Sequence, residues 1–269
     1  MPVTRRSNTN NVSKLDKRRK GIYILPNLFT TAGLFAGFFA IVQATVGHFD
    51  YAAVAIFVAM AMDTLDGRVA RITSTASDFG KEYDSLADVI AFGVAPALVI
   101  YEWGLSAVGR LGWLIAFIFV AAAALRLARF NVQETRDNRY FQGLPCPMAA
   151  AVIAAGIWVA DTHAIQGYWA IVVGLVAMLM LALAMVSTLP YRSFKDLDVR
   201  DRVPFTALLL VVFLFVLISF DPPWVMFLVT GAYFLSGPLL WLSPRVRNRE
   251  ELRLDLDEES QNERRSRRA

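Results

Sequence analysis

Four aspartates stand close together in a part of the chain that is otherwise apolar: Asp63 and Asp66, then Asp84 and Asp88. A charged carboxylate costs on the order of 2.5–3.5 kcal/mol near the centre of a membrane helix, and neighbouring carboxylates repel one another. The four carboxylates must therefore be protonated or bound to cations, and as ligands their oxygens favour Mg²⁺ or Mn²⁺ over zinc. Two such ions would balance four carboxylates and could assist displacement at phosphorus.

The spacing of these residues predicts two helices that present them to one cavity. Asp63 and Asp66 are separated by three positions and therefore share a helix face, while Gly80, Asp84 and Asp88 form a stripe at intervals of four. A short polar connection over residues 73–79 joins the two stretches and makes the helices antiparallel neighbours. Two carboxylates from each helix would then face a shared site, as in metal-binding helix bundles.

Composition places these helices in a membrane. The chain is 56% apolar with a mean hydropathy of +0.46, and hydrophobic runs long enough to cross a bilayer recur along it. We predict eight spans, at about 26–47, 51–72, 82–103, 111–130, 147–162, 168–188, 204–220 and 223–242. The predicted fold is an all-α integral membrane protein.

The basic residues predict the orientation of these helices. With eight spans, nearly all Lys and Arg fall on one side and Arg110 falls on the other, which places both termini, 1–22 and 244–269, in the cytoplasm. We therefore expect a multi-pass protein of the inner (cytoplasmic) membrane whose carboxylates face the cytoplasm. The basic clusters adjoin the membrane and so do not indicate nucleic-acid binding. One cysteine, Cys146, excludes an intrachain disulfide.

The stretch from Asp63 to Asp88 carries a recognisable pattern. It reads D-x-x-D-G-x-x-A-R-x8-G-x3-D-x3-D and resembles the signature of the CDP-alcohol phosphatidyltransferase family. The resemblance implies a six-helix catalytic core over 23–190, followed by two additional transmembrane helices over 203–243. It also implies transfer of a phosphatidyl group from CDP-diacylglycerol to an alcohol, two divalent cations (Mg²⁺ or Mn²⁺), release of CMP, and a homodimer.

The resemblance also implies roles for individual residues. Asp63, Asp66 and Asp84 would bind metal, with Asp84 bridging two ions, and Asp88 would join the metal site and act as general base. The residues expected to bind the CDP-diacylglycerol donor are Gly67, Arg71, Ser77, Asn27 and Thr30. We expect direct transfer without a covalent phosphatidyl-enzyme, since each carboxylate is already assigned to metal or proton.

The acceptor alcohol is indicated by segments outside the signature. Residues 26–30, 125–131 and 141–150 resemble those of the bacterial phosphatidylserine synthases within this family, which implies L-serine as acceptor. The candidate ligands for serine are Arg126, Arg129, Asn131 and Gln142. Arginines suit a carboxylate, but at a helix end they also reach headgroups and complement the helix dipole. Glycerol 3-phosphate or an inositol-type acceptor would suit the same arginines.

A transporter for divalent cations or protons is the alternative from another class. Such a protein would carry ionisable groups onward across the membrane and would commonly show repeated halves. The interiors of the predicted spans five to eight contain no acidic residue, and no internal repeat is evident. The sequence therefore favours the transferase.

Overall fold

The computed structural model describes residues 24–73, 77–132, 140–192 and 205–242. These residues form nine α-helices and two short strands. The helices are α1 (Ile24–Thr45), α2 (Phe49–Thr73), α3 (Asp78–Asp88), α4 (Ala95–Trp103), α5 (Arg110–Val132), α6 (Cys146–Thr162), α7 (Tyr168–Val186), α8 (Phe205–Phe220) and α9 (Pro222–Leu242), and the strands are β1 (Tyr140–Gln142) and β2 (Pro190–Arg192). The predicted terminal segments 1–22 and 244–269 lie outside the described residues.

A helix is present at each of the eight predicted spans. The third span is one continuous helix, Asp78–Trp103, in which a π-helical segment, Val89–Val94, joins α3 to α4. Among the described residues, five helices are long and apolar enough to cross a membrane: Pro26–Thr45, Asp78–Trp103, Arg110–Val132, Tyr168–Val186 and Pro222–Trp241. Of the others, α6 and α8 have only 17 and 16 residues, and α2 carries the charges of the site. The chain is therefore a multi-pass, helical membrane protein.

Small residues allow the helices around the carboxylates to pack closely. A Cβ added at Gly37 of α1 would lie 2.7 Å from Ala91 Cα in the π-helical segment, and one at Gly33 would lie 3.5 Å from Ala59 O in α2. Such contacts are typical of membrane helices, whose backbones associate through van der Waals packing. They fix α1 against both helices that carry the aspartates.

Within the described residues, the structure contains two short strands that the all-helical prediction did not include. They pair antiparallel, with Phe141 opposite Tyr191. Gly143 follows β1 with a φ of +79°, a conformation that favours glycine. A Cβ there would lie 2.5 Å from Met185 O. The two-stranded ribbon formed by β1 and β2 therefore lies directly against the end of α7. The sequence prediction missed the ribbon because each strand has only three residues.

The last helix packs on the core. Its inward side contains the buried Thr230 and Gly237, and Phe227 lies beside Gly156 of α6, where an added Cβ would be 3.6 Å from the Phe227 ring. A Cβ at Gly237 would overlap the ring of Tyr191 in β2. The predicted division into a core over 23–190 and an addition over 203–243 stays a prediction, but α9 and the core share a tightly packed boundary.

Candidate functional site

Three of the four aspartates come together at one end of the helix bundle. The last turns of α2 supply Asp63 and Asp66, and α3 supplies Asp84. One carboxylate oxygen from each lies within 4.8 Å of the others. Three oxygen ligands at this separation suit a hard divalent cation, so the predicted acidic cluster forms a group that could hold a metal ion.

The fourth aspartate lies beside this cluster on the same cavity. Asp88 is the last residue of α3, immediately before the helix widens into the π-helical segment, a feature frequent at functional sites. Its carboxylate is repelled by the other three aspartates and attracted by Arg126. The cavity opens to solvent, and about 190 Å³ of space in and in front of it is free of protein atoms. It is lined by Thr30, Gly33, Leu34, Ala59, Asp63, Asp66, Asp84, Ala87, Asp88, Ala91 and Phe92.

A buried hydroxyl orients one carboxylate of the cluster. Thr30 and Asp66 are both only 5% exposed, and Thr30 Oγ1 donates to Asp66 Oδ2 at 2.9 Å. Thr30 Oγ1 also lies 3.2 Å from Pro26 O, but its single hydrogen favours the shorter contact with the carboxylate. The structure thus places Thr30, predicted to bind the donor, behind a metal-ligand candidate, where it fixes the orientation of Asp66.

The other predicted donor residues lie near the start of α3. Ser77 caps this helix by accepting a hydrogen bond from Gly80 N at 3.0 Å. A Cβ at Gly80 would lie 3.1 Å from Ser77 Oγ and 3.2 Å from Asn27 Oδ1. Asn27, Ser77 and Gly80 therefore converge, and the glycine leaves the space that their polar groups need.

Gly67 and Arg71 lie on an open face of α2. No atom lies within 4 Å of a Cβ added at Gly67, and Arg71 Nε donates to Gly67 O at 2.9 Å. The exposed guanidinium of Arg71 is thus folded back beside a glycine with free space in front of it. This arrangement can accept a bulky anionic group next to the carboxylates.

The two arginines proposed for the acceptor differ in their surroundings. Arg126 Nη1 donates to Cys146 Sγ at 3.8 Å, and its charge attracts Asp88. Among the described residues, Arg126 Nε is buried without a hydrogen-bond partner. Arg129 Nη1 instead donates to Val186 O at the end of α7, at 3.5 Å. The structure therefore places Arg126 close enough to Asp88 for their charges to interact, whereas the described hydrogen bond of Arg129 is with the end of α7.

The remaining acceptor candidates lie farther along the chain. Asn131 Nδ2 donates to Ser85 Oγ at 2.9 Å, which ties the end of α5 to α3 next to Asp84. Gln142 lies in β1, where its backbone is paired with Pro190. Sequence reasoning missed Ser85, since its signal was only its position next to an aspartate, and it missed the contact between Cys146 and Arg126, which no local pattern indicates.

Comparison with known proteins agrees with this geometry. The family model described as CDP-alcohol phosphatidyltransferase matches residues 23–189. A protein of Helicobacter pylori (strain 26695) named CDP-diacylglycerol–serine O-phosphatidyltransferase is 35% identical over 223 residues, which cover 82% of this chain and 92% of the relative.

Two further relatives match over a smaller share of this chain. A protein of Mycobacterium leprae with the same name is 38% identical over 57% of this chain and 52% of its own length. The archaetidylserine synthase of Methanothermobacter thermautotrophicus is 33% identical over 65% of this chain and 72% of its own. On the match of the family model and the extent of the Helicobacter pylori relative, this chain belongs to the CDP-alcohol phosphatidyltransferase family.

Proposed function

We propose that this protein transfers the phosphatidyl group of CDP-diacylglycerol to the hydroxyl of L-serine, producing phosphatidylserine and CMP. The observation that carries the proposal is the carboxylate cluster of Asp63, Asp66 and Asp84, with Asp88 beside it, in a cavity at one end of a membrane bundle. The family supports the phosphatidyl-transfer chemistry, and the names of the relatives support serine as acceptor.

The carboxylates fit a divalent metal centre because their donor set is entirely oxygen and their oxygens lie close together. Asp63, Asp66, Asp84 and Asp88 would hold two ions, Mg²⁺ or Mn²⁺. When bound, these ions would neutralise the pyrophosphate of the donor. Thr30 keeps Asp66 oriented for that task through its hydrogen bond to Oδ2.

The protein's own residues bind the donor and move the proton. Arg71, beside the open face of Gly67, is placed to bind donor phosphate oxygens. Asp88 takes the proton of the serine hydroxyl, and that oxygen attacks the phosphatidyl phosphorus. The bond from phosphorus to the CMP oxygen breaks and CMP leaves. Arg126 has a buried, unpartnered Nε near Asp88, so we assign it to the serine carboxylate.

The distribution of basic residues and the family support a proposed location and assembly. We place the protein in the inner (cytoplasmic) membrane with the carboxylate end at the cytoplasmic side, where CMP and serine are soluble, and with access from the bilayer for the lipid donor. The excess of Lys and Arg on that side supports this orientation. We further propose a homodimer, as in the family.

The test is CMP release by the purified protein from CDP-diacylglycerol with Mg²⁺ or Mn²⁺. Parallel reactions contain L-serine, glycerol 3-phosphate, inositol, inositol phosphate or no acceptor. We expect metal-dependent release with serine, and phosphatidylserine as the lipid product. Release only with glycerol 3-phosphate or an inositol-type acceptor would keep the mechanism and refute serine. No release from folded protein with any acceptor would refute the transferase.

A further inference from the structure

The last helix, α9, contacts Tyr191, and a short series of contacts connects Tyr191 to Arg126 near the carboxylates. Tyr191 of β2 is fully buried. Its hydroxyl donates to Phe234 O of α9 at 3.3 Å, and its ring lies 5.8 Å from that of Tyr233. Burial, followed by the neighbouring Tyr233, raises the pKa of Tyr191 to about 12. Its phenol is therefore protonated at neutral pH and can donate.

The ribbon of β1 and β2 connects Tyr191 to the start of α6. Tyr191 is paired with Phe141 in β1, and the chain then turns at Gly143, whose N–H donates to Leu189 O at 2.9 Å. Next, Leu144 N donates to Ala184 O of α7 at 3.0 Å. These bonds leave the residues between β1 and α6 little freedom to shift independently of the ribbon.

The first residue of α6 touches the arginine assigned to the acceptor. Cys146 Sγ accepts from Arg126 Nη1 at 3.8 Å, and Cys146 is itself fully buried. The charge of Arg126 acts both on Asp88 and on Tyr233 of α9. Arg126 is thus near both the site and the last helix.

We infer that Tyr191, held in place by α9, is a positioning residue that sets the location of Arg126 for the acceptor. The inference rests on the proposed function, in which Arg126 binds the serine carboxylate. It gives a role in acceptor binding to α9, a helix that lies outside the residues 23–189 matched by the family model. It also predicts a selective effect, because the donor residues on α1, α2 and α3 are reached by other contacts.

Two glycines of α9 provide a matched pair of variants. In Gly237→Ala the added methyl group would overlap the ring of Tyr191, whereas in Gly231→Ala it would meet no atom within 4 Å. We expect Gly237→Ala to raise the KM for serine about tenfold, the effect of losing one well-placed hydrogen bond to a charged group. The KM for CDP-diacylglycerol should change less than about twofold, and Gly231→Ala should leave both values unchanged.

A milder variant guards against misfolding. Tyr191→Phe keeps the ring and loses only the bond to Phe234 O, so it should fold and raise the serine KM by about two- to fivefold, in line with a neutral hydrogen bond. Equal rises in both KM values, or an unchanged serine KM in folded Gly237→Ala and Tyr191→Phe, would overturn the inference and leave α9 a purely structural helix.

A second readout does not depend on catalysis. Cys146 is the single cysteine of the chain, so its rate of labelling by a maleimide reports on the start of α6. We expect severalfold faster labelling in Gly237→Ala than in Gly231→Ala or the unmodified protein. Equal rates would refute the link from α9 to Arg126, even if serine is the acceptor. If another acceptor proves correct, the proposed function fails, while the KM comparison with that acceptor and the labelling rates still decide the role of α9.

Discussion

The four aspartates of the site have different surroundings, and these surroundings indicate different tasks. Asp66 is almost fully buried and accepts a hydrogen bond from Thr30, so its orientation is fixed. Asp88 stands next to the tight group of three and is the one on which the charge of Arg126 acts. A fixed carboxylate suits a metal ligand, whereas a carboxylate beside the metal group, attracted by the arginine proposed to bind the acceptor, suits proton removal.

The hydroxyl of Thr30 should matter for metal affinity. Thr30→Val removes the donor to Asp66 with little change in volume, and the loss of such an outer partner typically weakens metal binding about 10- to 100-fold. The measurement is Mn²⁺ binding to the purified protein by calorimetry, together with the Mn²⁺ concentration for half-maximal CMP release. Thr31→Val is the control, because Thr31 bonds to Asn27 O and Tyr83 instead. Equal weakening in both variants would contradict the assignment.

Replacing the proposed base, Asp88, should slow the chemical step but leave donor binding measurable. Asp88→Asn keeps the size of the side chain but cannot accept the proton, so we expect kcat to fall roughly 100- to 10,000-fold. Binding of CDP-diacylglycerol should remain measurable by calorimetry. Asp78→Asn, an exposed residue in the first turn of the same helix, should keep near-normal turnover. Substantial activity in Asp88→Asn would show that another group removes the proton.

At the scale of elements, the site depends on how α1 meets the two helices that carry the aspartates. Ser77 starts α3 with a cap, and Gly80 allows Asn27 of α1 to approach that turn. Beyond the other end of α3, Ala91 of the π-helical segment packs against Gly37 of α1. The wider π turn directly after Asp88 thus coincides with a close contact to α1, which holds both aspartates of α3 at the cavity.

The open face of α2 gives a test of donor binding that is free of packing effects. Because nothing lies near a Cβ at Gly67, Gly67→Ala should not lower the melting temperature, and alanine favours a helix by about 1 kcal/mol. We expect the KM for CDP-diacylglycerol to rise at least about tenfold if the donor occupies this space. Gly231→Ala, a helical glycine with equally free space, should change nothing. An unchanged donor KM in Gly67→Ala would place the donor elsewhere.

The sequence predicted what depends on local periodicity and spacing. The stripes containing Asp63, Asp66, Asp84 and Asp88 led correctly to one shared cavity, and helices occur at all predicted spans. It did not predict the π turn, the ribbon or the insertion of Tyr191 beside α9, because these arise from contacts between distant segments. Sequence reasoning also named Arg126 and Arg129 together as acceptor candidates, and their different surroundings depend on contacts with distant segments.

At the scale of the whole molecule, the two ends of the bundle differ in charge. Among the described residues, Arg110 lies at the end of the bundle opposite the carboxylates, whereas most basic residues lie at the carboxylate end: Arg68, Arg71, Lys81, Arg126 and Arg129. At the other end, His163 Nε2 lies 3.7 Å from Asp221 Oδ2, and Asp50 is next to Asp161. By the positive-inside rule this charge difference supports the proposed cytoplasmic placement of the carboxylate end, where serine and CMP would be exchanged under the proposed function.

Cysteine labelling in spheroplasts tests this orientation. We expect Gln166→Cys, in the exposed connection between α6 and α7, to react with a membrane-impermeant maleimide in intact spheroplasts. Asp78→Cys, exposed at the start of α3, should react only after lysis because it would face the cytoplasm. The native Cys146 is fully buried, so the unmodified protein serves as the background control. The reverse pattern would contradict the proposed orientation, because the carboxylates would then face away from the cytoplasmic serine that the proposed reaction uses.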